Sequence, residues 1–487
     1  MPRSFKSDES FLEKISMGAI GTQRVFLDMA SQGHRPIELE RGSRSFKLWK
    51  QIKIKRIRVP DILCVSCGHK VESRAKTSFM ISMSHSLADP ERGWDSGLGQ
   101  HDKVALVVCG RSGNRPIDWA ADDLVQYAEV EDLRKAVNDQ HALITKPKGR
   151  EEGFETVVLW PSCAAKYSGT VAQVGTDRVQ YRRENDNRLI SLRLSRRDLI
   201  MNPQVHAGDK IVVNKVLAAV VPVTSSFSCA KSVTKEYFIG QLKSMNLSER
   251  YAASKALGIF HSEDVIEALI GKVNEENEHI YVKLEAAASL ARFGQSTGWS
   301  FVENCICDEY LENRLEAVIV LGEIHDDESI ELLCRVLEDK DQHPEIRAGA
   351  AWALGELPSE RALDLLVSSF AAVDESIRIE AARALAKLAP LYKRQVLSEF
   401  VEASAEGRPG IAWALSKSSS FAFEDLKGLF VDTDARHWGA YILGTQRPEL
   451  YLERIEEIRE SDPELYFAVT LLWKILSSWV FNLEEYG

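Results

Sequence analysis

Cysteine is sparse in this chain of 487 residues: it stands at 64, 67, 109, 163, 229, 305, 307 and 334, in no regular spacing. That scatter excludes a disulfide-built scaffold and fits a reducing compartment, so the cytoplasm is the expected location. Long apolar runs are missing as well. No window reaches about 18 uninterrupted apolar residues, the length a membrane-crossing helix needs, and no membrane partner is expected. The opening SFKSDESFLEKISMGA carries charges where a signal peptide needs an apolar core. What the chain does have is 45% hydrophobic residues, ordinary for a globular protein, and a length suited to about three domains.

The net charge of -11 divides unevenly. Residues 1–230 hold 35 Lys and Arg against 27 Asp and Glu, a balance of +8, which leaves -19 for residues 231–487. Residues 35–76, with 12 basic and 4 acidic side chains, account for the whole +8. A cluster of that density attracts polyanions, nucleic acid above all. The other reading is a solvated strand edge whose lysines discourage edge pairing. The candidate nucleic-acid-binding side chains are Arg44, Lys47, Lys50, Lys53, Lys55, Arg56 and Arg58, with DNA the expected ligand.

The C-terminal half is repetitive. RYAASKALG (250–258), KLEAAASLARFG (283–294), RLEAVIVLG (314–322), RAGAAWALG (347–355) and RIEAARALAKL (378–388) share a basic residue, small alanines and a closing Leu-Gly or its remnant. Each unit carries a second apolar helix such as DVIEALIGKV or ESIELLCRVL. Alanines at helical spacing let two helices approach closely, and the glycine is expected to supply the turn between them. A helix pair of this kind buries its apolar face only by stacking on neighbours, so an α-solenoid follows. The units resemble HEAT repeats of the short, alanine-rich type also found in the phycobilisome lyase family, over about 240 residues from Lys235 onward. RPGIAWALSK (408–417) and RHWGAYILG (436–444) are decayed copies expected to cap the array. The resemblance implies a binding surface for a protein partner rather than a reaction. The recurring Arg250, Arg314, Arg347 and Arg378 would line a DNA-binding groove or make salt bridges within the repeats and cap helices; the acidic surroundings favour salt bridges and capping.

The N-terminal half reads as one helix followed by strands. The expected boundaries are an α/β domain over 1–150, a small β-barrel or sandwich with a linker over 151–230, and the solenoid over 231–487. The serine-rich TSSFSCAKSVTK (224–235) is the expected joint.

Candidate chemistry concentrates in RIRVPDILCVSCGHKVESRAK, residues 56–76. Side chains alternate along a strand, so Glu72, Arg74 and Lys76 share one face and Val71, Ser73 and Ala75 the other. If Asp61 ends the partner strand, its carboxylate lies beside that of Glu72. Paired carboxylates call for a hard cation, Mg²⁺ or Mn²⁺, which would activate water for attack on a phosphodiester. Here the chain resembles the PD-(D/E)xK restriction-endonuclease-like superfamily, over roughly its first 110 residues. The resemblance implies that Asp61 and Glu72 ligate the metal with Glu13 from the opening helix as a third acid, and that Lys76 and Arg74 stabilise the transition state. Arg74 stands where the pattern places lysine, and arginine is a poor proton acceptor.

Cys64 and Cys67 have the spacing of a zinc knuckle, half of a tetrahedral site. Cys109, Cys163 or His69 would have to complete it; the other reading is two buried hairpin thiols. The loop SHSLADPERGWDSGLGQHD (84–102) offers His85, Asp95 and His101 as substrate contacts. The expected function is therefore metal-dependent DNA hydrolysis, as an endonuclease or exonuclease, with a protein-binding solenoid, in DNA processing or phage defence. The competing expectation is an adaptor that binds nucleic acid or protein without cutting.

Overall fold

The computed structural model describes residues 8–39, 57–87, 89, 92–113, 118–146, 155–417, 426, 435–446 and 451–484. Two compact units emerge, the first reaching Phe260 and the second running on from His261.

In the first unit a long helix, α1 (Asp8–Ser31), precedes β1 (Pro36–Glu38), β2 (Ile62–Cys64), β3 (Lys70–Lys76), β4 (Ile81–Ser86), β5 (Lys103–Arg111), β6 (Trp119–Glu129), α2 (Val130–Asn138), β7 (Leu143–Thr145) and β8 (Glu155–Trp160). The main sheet has the order β1-β2-β3-β5-β6. Its β3 and β5 run parallel, and the other pairs are antiparallel. Cores form on both faces. Ala105, Val107 and Cys109 of β5 join Val25 and Met29 of α1 on one side. Val104 and Leu106 join Met83, Trp94 and Trp160 on the other. Gly21 of α1 lets the helix close on β3: a Cβ there would stand 2.5 Å from the Ala75 Cβ.

The expected boundary at 150 is crossed, because β8 pairs with β4 along its length and with β7. The middle region then supplies β9 (Ser162–Ala164), β10 (Gly169–Val174), β11 (Arg178–Arg183), β12 (Leu189–Arg193), β13 (Ser195–Arg196), β14 (Leu199–Ile200), β15 (Asn202–Pro203), β16 (Lys210–Ile211) and β17 (Val216–Ala219). A sheet β12-β11-β10-β16 and a sheet β15-β17-β9 contribute to one core around Tyr181, Val179 and Leu217.

The segment expected to be a joint is instead part of the first unit. Thr224 forms a bridge with Tyr127 of β6, with backbone bonds of 2.7 and 3.0 Å. Phe227 N–H donates to Gln32 Oε1 at 2.5 Å, and its ring is buried among His34, His69 and Tyr127. The helices α3 (Lys235–Gln241) and α4 (Leu247–Leu257) also belong to this unit.

The second unit contains α5 (Glu263–Asn274), α6 (Ile280–Arg292), α7 (Ser296–Ile306), α8 (Leu311–Leu321), α9 (Asp327–Glu338), α10 (Pro344–Leu354), α11 (Leu363–Ser368), α12 (Glu375–Leu388), α13 (Lys393–Glu402), α14 (Arg408–Lys417), α15 (Arg436–Gly444), α16 (Leu452–Glu457) and α17 (Pro463–Glu484). The alanine-rich helices α6, α8, α10, α12, α14 and α15 pack each on the next, as stacked repeats require. Gly294 takes the left-handed angle expected of a turn, φ +70°, but two of the closing glycines have a different role. Gly322 and Gly355 take ordinary right-handed helical angles, φ -65° and -71°. Space, and not a turn, demands them: a Cβ on Gly322 would stand 2.9 Å from the Ala353 Cβ, and one on Gly355 2.6 Å from the Ala384 Cα. Among the described residues no helix is long and apolar enough to cross a membrane.

Candidate functional site

The β2–β3 ladder ends by pairing Ile62 with Val71, and Asp61 and Glu72 are the next residues beyond that pair. Asp61 Oδ2 accepts the backbone N–H of Ser73 at 2.7 Å. Glu72 pairs with Arg74 at 2.7 Å, both side chains partly buried. Lys76, on the same face, donates to Ser82 Oγ of β4 at 2.5 Å. Burial, with Arg74 beside it, pulls the Lys76 ammonium from its ordinary 10.5 down to about 8. The alternation expected along β3 is thus present, with Ala75 against α1 and Glu72, Arg74 and Lys76 on the other face.

The third expected acid is used elsewhere: Glu13 pairs with Arg111 at the end of β5. Of the basic side chains expected to hold DNA, Arg58 is exposed, while Arg44, Lys47, Lys50, Lys53, Lys55 and Arg56 lie outside the described residues. The loop residues serve the fold. His85 Nδ1 accepts Trp94 N–H at 3.3 Å, Asp95 pairs with Arg134 at 2.6 Å, and His101 meets Glu129 at 3.1 Å. Trp94 packs edge-on against Trp160 with ring centroids 5.0 Å apart, which ties the loop into the core.

Lys70, the first residue of β3, is nearly inaccessible and pairs with Glu249 of α4 and, at 3.6 Å, with Asp102. Asp102 also accepts the N–H groups of Lys70 (2.7 Å) and Gly99 (2.5 Å). A buried charge survives only when its partners replace water in this way.

The second constellation surrounds the Cys-x-x-Cys turn. Cys64 and Cys67 do not meet Cys109 or Cys163. Cys109 points from β5 into the core beneath α1, where burial pushes its thiol up to about 11. Cys163 sits on β9 in the middle region. The side chains that do converge are His34, Cys64, Cys67 and Cys229, whose nitrogen and sulfur atoms all lie within 4.8 Å of one another. The β1–β2 register brings His34 there, since Pro36 faces Cys64. Cys229 arrives two residues after Phe227. Cys64 Sγ lies 3.8 Å from Cys229 Sγ, and Cys67 Sγ 3.5 Å from His34 Nδ1. The opposite ring nitrogen, His34 Nε2, is 2.7 Å from the Phe227 carbonyl oxygen. The hydrogen bond between the two turn cysteines pushes Cys64 down and Cys67 up, so one gives up its proton before the other. His34 and Cys229 carry no spacing signal; only the strand register and the returning segment reveal them.

The recurring arginines cap, Arg250 in the first unit and the others in the helical array. Arg250 donates to the carbonyls of Ser244 and Met245, Arg314 to that of Asp308, Arg347 to that of Leu337 at 2.9 Å, and Arg378 to those of Ala372 and Val373 at 2.6 and 2.7 Å. Carbonyls at helix ends and in the connecting loops are satisfied by a side chain one element later. In contrast, Glu263, Asp264 and Glu267 of α5 and Asp327, Glu328 and Glu331 of α9 are exposed.

Residues 301–386 match a family described as HEAT repeats. The solved structures that resemble the chain include the CpcE–CpcF complex of phycocyanin lyase from Nostoc sp. PCC7120, with 18% identity, 50% of this chain and 95% of that chain covered, and a TM-score of 0.25. A designed armadillo repeat protein in complex with the peptide (KR)4 shows 18% identity, coverage of 49% and 99%, and a TM-score of 0.22. Human deoxyhypusine hydroxylase shows 16% identity, coverage of 43% and 83%, and a TM-score of 0.20. No curated protein matches the chain. The C-terminal region is a HEAT-like helical repeat array, and the N-terminal region is rich in sheet; likenesses this distant bear on neither substrate nor reaction.

Proposed function

We propose that the protein is a non-catalytic scaffold whose C-terminal array binds a partner protein through a lysine- and arginine-rich segment. The observation that carries this reading is the division of charge within the repeats. The recurring Arg347 and Arg378 turn in to cap carbonyls, and the exposed Arg335 and Arg361 are paired with Glu303 and Asp327, whereas Glu263 and Glu267 of α5 and Glu328 and Glu331 of α9 are exposed. With 21 Lys and Arg against 43 Asp and Glu over residues 261–487, a balance of -22, the array repels phosphate backbones and attracts cationic polypeptide. The test is binding of the full-length protein to a fluorescent Lys/Arg-rich peptide, an acidic peptide of equal length and duplex DNA over a salt series. The basic peptide binds and weakens with salt, and the double variant Glu328→Lys, Glu331→Lys loses affinity on the order of tenfold, or ~1.4 kcal/mol. Equal binding of both peptides, or binding indifferent to salt, refutes the reading.

A second reading, metal-dependent hydrolysis of nucleic acid, is favoured by one observation: Asp61 and Glu72 follow directly on the Ile62–Val71 pair of the β2–β3 ladder, with Lys76, lowered to about 8, on the face of Glu72. Against it, Glu72 pairs with Arg74 and Glu13 with Arg111. Mg²⁺- or Mn²⁺-dependent cleavage of linear, circular and single-stranded DNA, abolished by Asp61→Ala and by Glu72→Ala in folded protein, would establish it. The scaffold reading expects no cleavage by the wild type.

A further inference from the structure

The geometry points to a structural zinc site formed by His34, Cys64, Cys67 and Cys229, which clasps the segment returning from the middle β-region onto the N-terminal sheet. Zinc bonds of about 2.3 Å to sulfur and about 2.0–2.1 Å to nitrogen, set at tetrahedral angles, give sulfur–sulfur edges of ~3.8 Å and sulfur–nitrogen edges of ~3.6 Å. The Cys64–Cys229 separation is 3.8 Å and the Cys67–His34 separation 3.5 Å. These are the edges of a tetrahedron around an ion.

The surroundings suit a metal in two further ways. His34 presents Nδ1 to the cluster while Nε2 faces the Phe227 carbonyl oxygen at 2.7 Å. An N–H donated there fixes the tautomer that leaves Nδ1 free to ligate, the usual support for a metal-bound histidine. Gly68 takes φ +78°, a left-handed angle that glycine adopts freely, directly after the second cysteine. The turn it permits is closed by Gly68 N–H to the Cys64 carbonyl at 2.8 Å and by Cys64 N–H to the His69 carbonyl at 2.9 Å.

Four protein ligands leave no open position, and His34, Cys64 and Cys67 are buried. The site is therefore structural and not catalytic. The three cysteines bind as thiolates and release their protons, and with a neutral histidine the Zn²⁺ centre carries one net negative charge. Without the ion, three sulfurs and an imidazole share a largely buried space held by weak sulfur contacts and the bond of His34 Nε2 to Phe227. The ion gives each of them a bond.

The test uses the full-length chain purified in reductant without chelator. Metal analysis is expected to show about one zinc per chain. Replacement by Co²⁺ should produce the visible bands of a four-coordinate centre and a near-ultraviolet sulfur-to-cobalt band. Both readings come from the wild type, so they do not depend on whether a variant folds. Cys67→Ser and Cys229→Ser lose the metal, whereas Cys109→Ser and Cys163→Ser keep it. Removing zinc speeds hydrogen exchange at residues 227–233 and leaves the helices from His261 onward unchanged. Wild-type protein that binds neither zinc nor cobalt overturns the assignment. So does retention of stoichiometric metal by Cys229→Ser, or a Cys64–Cys229 disulfide in protein alkylated at lysis.

Discussion

Arg74 and Lys76 differ from each other in what they can do with a proton. Arginine keeps its charge at every accessible pH, and Arg74 uses it to hold Glu72. Lys76 is displaced downward to about 8 because burial penalises its ammonium. Its folded pKa lies below its unfolded one, so between about 8 and about 10.5 the unfolded chain holds a proton that the folded chain has released, and stability rises with pH across that window. Melting curves of the wild type and Lys76→Met should therefore converge or cross in the wild type's favour as pH rises from about 7 to about 10. A constant difference would mean that Lys76 is solvated. The alternation that put Lys76 beside Glu72 was legible in the sequence, because period two is a local property of a strand. His34 and Cys229 were not legible, since their convergence depends on a register and on a segment 165 residues from Cys64.

Repeats were the most legible elements, because stacking imposes one pattern on every copy and leaves it visible in the spacing. The misreading of Gly322 and Gly355 has a physical cause. A glycine after a helix suggests a left-handed cap, but here it marks contact with the alanine of the next helix. The two roles make alanine costly for different reasons. At a left-handed angle alanine would be strained in isolation, whereas at Gly355 it would clash with the backbone of Ala384. Gly355→Ala should cost about 1–3 kcal/mol, as overpacking does. Gly271→Ala, within α5 and with no atom in reach of its added Cβ, should instead stabilise by roughly 0.5–1 kcal/mol. Urea denaturation of the two variants beside the wild type measures both signs.

For the molecule as a whole, the three-part organisation was readable from composition, but its seams were not. Serine-rich sequence announces a linker when nothing else binds it; residues 224–233 are held by a bridge to Tyr127, a buried phenylalanine and a bond from Val233 N–H to Ser66. The helices α3 and α4 look like the first repeat in sequence, yet the buried Lys70 draws Glu249 of α4 into the first unit. The charge division shows why the whole-chain net charge says little about partners: it averages a basic N-terminal cluster with a strongly acidic C-terminal array.

The return of residues 224–233 also sets an order of events during synthesis. The ribosome adds about 5–20 residues each second, so the 165 residues that separate Cys64 from Cys229 take roughly 8–33 s to appear. Throughout that interval the nascent N-terminal sheet lacks Phe227 over His34 and the strand bridge at Tyr127. Its turn thiols wait exposed to oxidants and to chaperones until the middle β-region has emerged and folded behind them.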